Sequence, residues 1–248
     1  MSNSKEQSKR QARKEQLRRK EQRSRLLSIG LITVGALLIA FLIIYPSLKP
    51  IGDVVSAPEI VRENVDFNAV GDPNAPIKIE EYSDFQCPYC RVFFENTEEA
   101  LMQSYVANGS VYFVYKSFGA FIGVESGRAA EASYCAGDQG RFWEMHDIIF
   151  ANQTGENVGA YTDRRLTAFA ENIGLNIGDF DSCFNSGKYK ERVEQDSKDG
   201  ILANIRATPS FVMTYTVNGE TVTKVIEGAQ SFTAFQQEIE AALAEMGQ

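Results

Sequence analysis

The chain has 248 residues, 25 Lys/Arg against 33 Asp/Glu and a formal net charge of −8, a length that suits one large or two small domains. The charge is divided unevenly. The first 25 residues carry ten basic and three acidic side chains, and the remainder carries 15 against 30, a balance that argues against nucleic acid as a partner of the larger part.

Residues 1–25 have almost no apolar content and are expected to be a disordered, cytoplasmic basic segment. Residues 26–45 follow with twenty uncharged positions. At about 1.5 Å per residue they span a hydrocarbon core of about 30 Å. Basic flanks stay in the cytoplasm, so a single-pass anchor in the cell membrane would leave the rest of the chain outside. The alternative is a cleaved signal peptide, whose apolar region usually runs for about 7–15 residues. No small-x-small site closes this run: Pro46, Ser47 and Leu48 come next, and the candidate cut after Ala57 meets Pro58. The uncleaved anchor is the reading adopted.

Residues 46–70 contain Pro46, Pro50, Gly52 and Pro58 without a sustained period, and are expected to be an extracytoplasmic linker. The turn cluster Gly71-Asp72-Pro73-Asn74-Ala75-Pro76 opens the folded domain, 71–248. A strand is expected over Ile77–Tyr82. Cys87-Pro88-Tyr89-Cys90 comes next, with Pro88 suited to the first turn of a helix that runs to about Val106. Val111–Tyr115 is β-branched and aromatic, a second strand.

From about 125 to 202 the pattern is helical: Leu166, Phe169, Ala170 and Ile173 share one face, as do Ala132, Cys135 and Ala136. Phe211–Val217 and Thr221–Ile226 flank Asn218-Gly219 as a hairpin. A final helix is expected from about Ser231 to Leu243. Helices over a mixed sheet make an α/β domain, with the block at about 125–202 inserted between the two halves of the sheet.

All four cysteines, Cys87, Cys90, Cys135 and Cys183, follow the apolar run, and an even number in an oxidising compartment suggests disulfides in one of three pairings. Cys87 would sit at the N-terminal end of the helix that Pro88 opens, where unpaired N–H groups and the helix dipole favour a thiolate. Cys90, one turn further in, would be the more buried resolving thiol. A zinc site needs four ligands, and Cys135, Cys183 and the single histidine, His146, are poorly spaced to supply them. A purely structural bridge between Cys87 and Cys90 closes too small a loop to add much stability. On strand period Ile77, Ile79 and Glu81 share a face, which would bury Glu81 among apolar neighbours and raise its pKa. The plainer alternative leaves Glu80 or Glu81 at a solvated strand end. His146 lies among Phe142, Trp143 and Phe150 and is read as packed rather than catalytic.

The turn cluster, the strand and Ser83-Asp84-Phe85-Gln86-Cys87-Pro88-Tyr89-Cys90 resemble the opening of the DsbA-like thioredoxin-fold family of bacterial thiol-disulfide oxidoreductases. Gly140-Arg141-Phe142-Trp143-Glu144-Met145-His146-Asp147 resembles a helix of that family's inserted domain, and Ala207-Thr208-Pro209-Ser210-Phe211 resembles its cis-proline loop, with Ala207 where the family usually has Gly. The resemblance covers 71–243. It implies a thioredoxin fold with an inserted helical domain, here preceded by one transmembrane helix. It implies that Cys87 and Cys90 are the redox pair, that Pro209 is cis and faces them, and that Glu81 moves protons to and from Cys90. Thr208 and Tyr89 would contact substrate, and Cys135 with Cys183 would form the second disulfide found in some relatives. No cofactor or metal is implied. The partners implied are cysteine-containing exported proteins and a quinone-linked membrane protein of the DsbB or vitamin-K-epoxide-reductase type. Oxidation of substrate thiols is the expected direction, with reduction or isomerisation as alternatives. A membrane-tethered peptide-binding holdase without redox activity is the reading from another class.

Overall fold

The computed structural model describes residues 2–48, 50–119 and 122–247; side chains of the first helix are described at 13–15 and 17–45. Met1, Lys49, Ala120, Phe121 and Gln248, which fall in the expected segments 1–25, 46–70 and 71–248, lie outside the described residues. The chain divides into two compact units, Met1–Gly52 and Asp53–Gln248.

In the first unit α1 runs unbroken over Ser2–Leu48. The expectation of a disordered basic segment is therefore corrected. Lys, Arg, Glu, Gln and Ala all have high helix propensity, and Glu15 accepts a 3.0 Å hydrogen bond from Arg19 one turn on. Once a helix is nucleated in the apolar stretch, each added residue costs little. The Arg13–Tyr45 part is long and apolar enough to cross a membrane. Its Thr33 hydroxyl donates to the Gly30 carbonyl at 2.9 Å, so this polar group is satisfied within the helix.

In the second unit a six-stranded sheet is formed among the described residues by β1 (Val65–Asp66), β2 (Ala69–Val70), β3 (Ile77–Ser83), β4 (Val111–Ser117), β5 (Ser210–Val217) and β6 (Glu220–Glu227). The spatial order is β1-β2-β4-β3-β5-β6. β3 and β4 pair in parallel, which requires a crossover, and the chain between them is helical. It runs as α2 (Pro88–Phe93), a π-helical segment (Phe94–Glu98), α3 (Glu99–Leu101) and a second π-helical segment (Met102–Val106). β5 and β6 form an antiparallel hairpin whose turn residues Asn218 and Gly219 both have positive φ, the conformation that this dipeptide favours.

Between β4 and β5 lie α4 (Val124–Gly137), α5 (Phe142–Ala151), α6 (Asp163–Asn172), α7 (Ile177–Ser186) and α8 (Lys190–Leu202), close to the expected insertion. α9 (Phe232–Met246) is capped by the Ser231 hydroxyl, which accepts from the Ala234 N–H. One apolar core joins sheet and insertion: Phe93, Phe211 and Phe235 meet from α2, β5 and α9, and Tyr115 meets Phe142 from β4 and α5.

From Asp53 onward the expected linker belongs to the folded unit, a second correction. Val55 exchanges two hydrogen bonds with the Asn152 side chain, at 2.9 and 2.7 Å. Val54, Ala57 and Ile60 pack on the core. At the β1–β2 turn the Phe67 ring stacks on Tyr134, and a Cβ at Gly137 would stand 2.5 Å from that ring, so α4 needs glycine there. This strap has no period of its own to reveal it. Val55 and its partner Asn152 are 97 residues apart in sequence.

Cys135 of α4 and Cys183 of α7 are joined by a disulfide. It closes a loop with a sequence separation of 48. Removing such a constraint releases unfolded-chain entropy worth about 2–4 kcal/mol. Cys135→Ala with Cys183→Ala is accordingly expected to lower the melting temperature by several degrees while the native secondary structure at room temperature persists. Thermal unfolding followed by far-ultraviolet circular dichroism checks both halves of that statement.

Candidate active site

β3 ends at Ser83 and the chain turns through Asp84-Phe85-Gln86, so that Cys87 becomes the N-cap of α2. The turn is tied locally: the Cys87 N–H donates to the Asp84 carbonyl at 3.0 Å, and the Gln86 N–H donates to Asp84 Oδ1 at 2.8 Å. Pro88 takes the first helical position, where its missing N–H has no partner to lose. Both Cys87 and Cys90 are free thiols. Cys87 keeps 6% of its surface open and Cys90 none, which separates a reachable sulfur from an enclosed one.

The Thr208–Pro209 peptide bond is cis, and the Cys87 thiol donates to the Thr208 carbonyl at 3.3 Å. The Asp84 N–H donates to Cys90 Sγ at 3.4 Å. Hydrogen bonding from the Cys90 thiol, above all, lowers the Cys87 pKa to about 6; against the cost of burial, the Thr208 hydroxyl and the N–H groups of Cys90 and Tyr89 add to that lowering. Burial, and then the neighbouring Cys87, push Cys90 well above the usual thiol range. The pair thus has one thiolate-prone sulfur facing outward and one proton-holding sulfur facing inward.

Glu81 is 1% exposed, paired across the sheet with Tyr115 on β4 and Phe211 on β5. Burial, and after it the charge of Glu98, raise its carboxyl well above the usual range. The solvated strand-end alternative does not hold for this residue. Asp84 is also raised, to about 6, chiefly by burial. Tyr89 is 66% exposed and presents its ring to solvent beside the pair, while Thr208 is buried.

His146 is enclosed, with ring contacts to Phe85, Phe94, Tyr115, Phe142, Trp143 and Phe150. Its Nδ1 lies 2.9 Å from Asp147 Oδ1. Arg62 donates to both Asp147 and Glu98, so the cation of this cluster is a guanidinium, and Glu98, His146 and Asp147 are not read as a metal site.

The sequence pattern does not mark the residues by which the insertion grips the Phe85–Cys87 loop. Gln153 Nε2 donates to the carbonyls of Phe85 at 2.7 Å and Cys87 at 3.0 Å. The Tyr161 hydroxyl lies 3.0 Å from the Phe85 carbonyl, and Ser126 Oγ donates to Gln86 Oε1 at 2.9 Å. Gln153 and Tyr161 lie between helices, outside any periodic pattern, and one serine within α4 does not stand out in it. Glu98 did carry a signal: with Phe94 and Leu101 it falls on the apolar helical face, where a charge needs a partner.

A family model described as Thioredoxin matches residues 63–241. The "Probable disulfide bond formation protein D" of Bacillus cereus is 30% identical over 146 residues, covering 57% of this chain and 67% of that protein. The Na(+)/H(+) antiporter NhaA 1 of Salinispora arenicola is 30% identical over 142 residues, 57% of this chain. The match takes in 20% of the antiporter, so the chain spans about a fifth of that relative's length. Among solved structures, oxidised BdbD from Bacillus subtilis aligns with a TM-score of 0.62 at 24% identity, over 78% of this chain and 100% of that one. Wolbachia pipientis alpha-DsbA1 aligns with a TM-score of 0.63 at 20% identity, over 72% and 92% of the two chains. At these identities the structural likeness is one of fold.

Proposed function

This chain belongs to the thioredoxin family, in a thioredoxin-like fold with a helical insertion, and on that premise we propose that it is a membrane-anchored, extracytoplasmic thiol-disulfide oxidoreductase that oxidises cysteine-containing exported proteins. Residues 1–25 would lie in the cytoplasm, 26–45 in the membrane, and the unit from Asp53 outside it. The observation that carries the redox reading is the asymmetry of the pair: Cys87 at the helix N-terminus against the cis Thr208–Pro209 peptide, Cys90 enclosed behind it.

In the oxidising direction a substrate thiolate attacks Cys87 Sγ of the Cys87–Cys90 disulfide. Cys90 leaves as a thiolate and takes a proton, for which the buried Glu81 carboxyl is the nearby source. A second substrate thiolate then attacks the substrate sulfur of the mixed disulfide and expels the Cys87 thiolate. The substrate loses two electrons as its two thiols become a disulfide, and the enzyme pair gains them. Thr208 offers its backbone to an extended substrate peptide, and Tyr89 offers an exposed ring. Stabilising the Cys87 thiolate stabilises the reduced enzyme, and a stabilised reduced form makes a stronger oxidant. A membrane protein of the DsbB or vitamin-K-epoxide-reductase type, linked to quinone, would restore the disulfide.

The reduction potential tests the direction. Equilibration of the full chain with glutathione is expected to give a value nearer about −120 mV, as in a strong oxidant, than about −270 mV, as in thioredoxin. A value at the thioredoxin end assigns the protein to reduction instead. If the Cys87→Ala, Cys90→Ala double variant keeps its cellular function, the redox reading falls and the peptide-binding holdase takes its place.

A further inference from the structure

Arg62 stands in the strap that the sequence presents as a spacer, yet its side chain is buried in the middle of the domain. Its Nη1 and Nη2 each donate to Asp147 at 2.8 Å, and Nη2 also donates to Glu98 Oε1 at 2.6 Å. The guanidinium lies over the Trp143 ring, 4.7 Å from its centroid. Arg62, Glu98 and Asp147 have side chains at most 5% exposed, so water does little to screen them.

Glu98 reaches this cluster from the π-helical segment that follows α2, the helix carrying Cys87 and Cys90. Its second oxygen, Oε2, has no hydrogen-bond partner, and neither does Oε2 of Glu81. The cluster therefore brings three buried carboxyls, those of Glu81, Glu98 and Asp147, within the field of one guanidinium. Three buried negative charges outnumber the guanidinium and the His146 ring that pair with two of them. The guanidinium is committed by three hydrogen bonds to Glu98 and Asp147, so the remaining carboxyl, Glu81, is the one left holding a proton.

The ionisable groups facing Glu81 come from several elements. Cys90 comes from α2, Glu98 from the π-helical segment, Arg62 from the strap and Tyr115 from β4. β5 presents the apolar Phe211 opposite it. From α5, Asp147 pairs with Arg62, and His146 bonds Asp147 and places Nε2 3.9 Å from Glu98 Oε2.

We propose that Arg62 and Glu98 are positioning residues for the redox centre: Arg62 fixes the charge on Glu98, and that fixed charge keeps a proton on Glu81, where it can pass to Cys90. Neither residue touches substrate. The inference rests on the redox reading for its use, and on the buried charge cluster for its content. It turns the strap from a tether into part of the proton-handling machinery, since removing residues 53–64 removes the guanidinium that holds Glu98 beside Asp147.

Glu98→Gln tests it with little change of shape, because the amide oxygen can still accept from Arg62. With the like charge gone, Glu81 should release its proton at a pH about one unit lower. The readout is the infrared band of a protonated carboxyl, followed against pH in the full chain in detergent micelles and identified by its absence in Glu81→Gln. In wild type and Glu98→Gln, the alkaline limb of the rate of reduced-peptide oxidation should move with that band. In a Glu81→Gln background, Glu98→Gln should leave the limb where it is. An infrared midpoint unmoved by Glu98→Gln overturns the proposal, as does a rate shift that survives in the Glu81→Gln background. If the wild type oxidises no peptide at all, the proposed function fails, and the infrared midpoint still decides the charge relay by itself.

Discussion

Cys87→Ser is expected to abolish thiol oxidation, with turnover falling by at least about a thousandfold, because the attacked sulfur and the thiolate leaving group are lost together. Cys90→Ala should be equally inactive in turnover for a different reason. Cys87 remains able to attack a disulfide, but no second thiol clears the product, so mixed disulfides accumulate on Cys87. Non-reducing electrophoresis and mass spectrometry of thiol-blocked protein would show adducts on Cys87 in Cys90→Ala and none on Cys90 in Cys87→Ser. Adducts on Cys90 would reverse the assignment of the two sulfurs. Hydrogen bonding from Cys90 is the leading cause of the lowered Cys87 pKa, so the same variant should also slow alkylation of Cys87 at neutral pH, by about tenfold or more.

The reduced protein should gain stability over the oxidised protein as pH rises from about 6 to about 9. The Cys87 thiol is lowered to about 6 from an ordinary value of 9.0. A group whose pKa is depressed in the folded state stabilises that state when ionised. Its contribution is complete above the unfolded value, shrinks as pH falls and is lost once pH passes below the folded value. In the oxidised protein neither Cys87 nor Cys90 titrates, so comparing the two redox states isolates the thiols together with the groups that feel the Cys87 charge, Asp84 among them. Three pK units correspond to at most about 4 kcal/mol. Thermal unfolding with and without reductant, at intervals across this range, measures the gap. A gap that stays constant or narrows with rising pH would show that the Cys87 thiolate is not stabilised by the fold.

The Cys87–Cys90 pair, Pro88 at the helix start, the hairpin at Asn218-Gly219 and the long apolar run were legible because each is a local signal. A helix N-terminus, a two-residue turn and a membrane span are specified by residues adjacent in the chain. The parity that puts Glu81 on the face of Ile77 and Ile79 was legible too, since a strand has period two, but parity alone left open whether that face is buried at its end. The parallel pairing of β3 with β4, and the position of Phe211 across from Glu81 on β5, closed the question.

The strap from Asp53 to Arg62, and the grip of Gln153 and Tyr161 on the redox loop, could not be read in advance. Val55 meets Asn152 across 97 residues, Arg62 meets Asp147 across 85, and Gln153 meets Cys87 across 66. Extended segments and loop-borne polar side chains have no repeat to betray their partners. Their identity is fixed only when helices and strands set by local patterns pack and leave particular carbonyls and carboxylates needing hydrogen bonds. The sequence by itself therefore determined that a two-cysteine motif stands at a helix start, the place proposed for electron exchange. Only the tertiary structure decided that Glu81 is buried and that Arg62, from the strap, bonds Glu98 and Asp147, because those contacts join segments far apart in the chain.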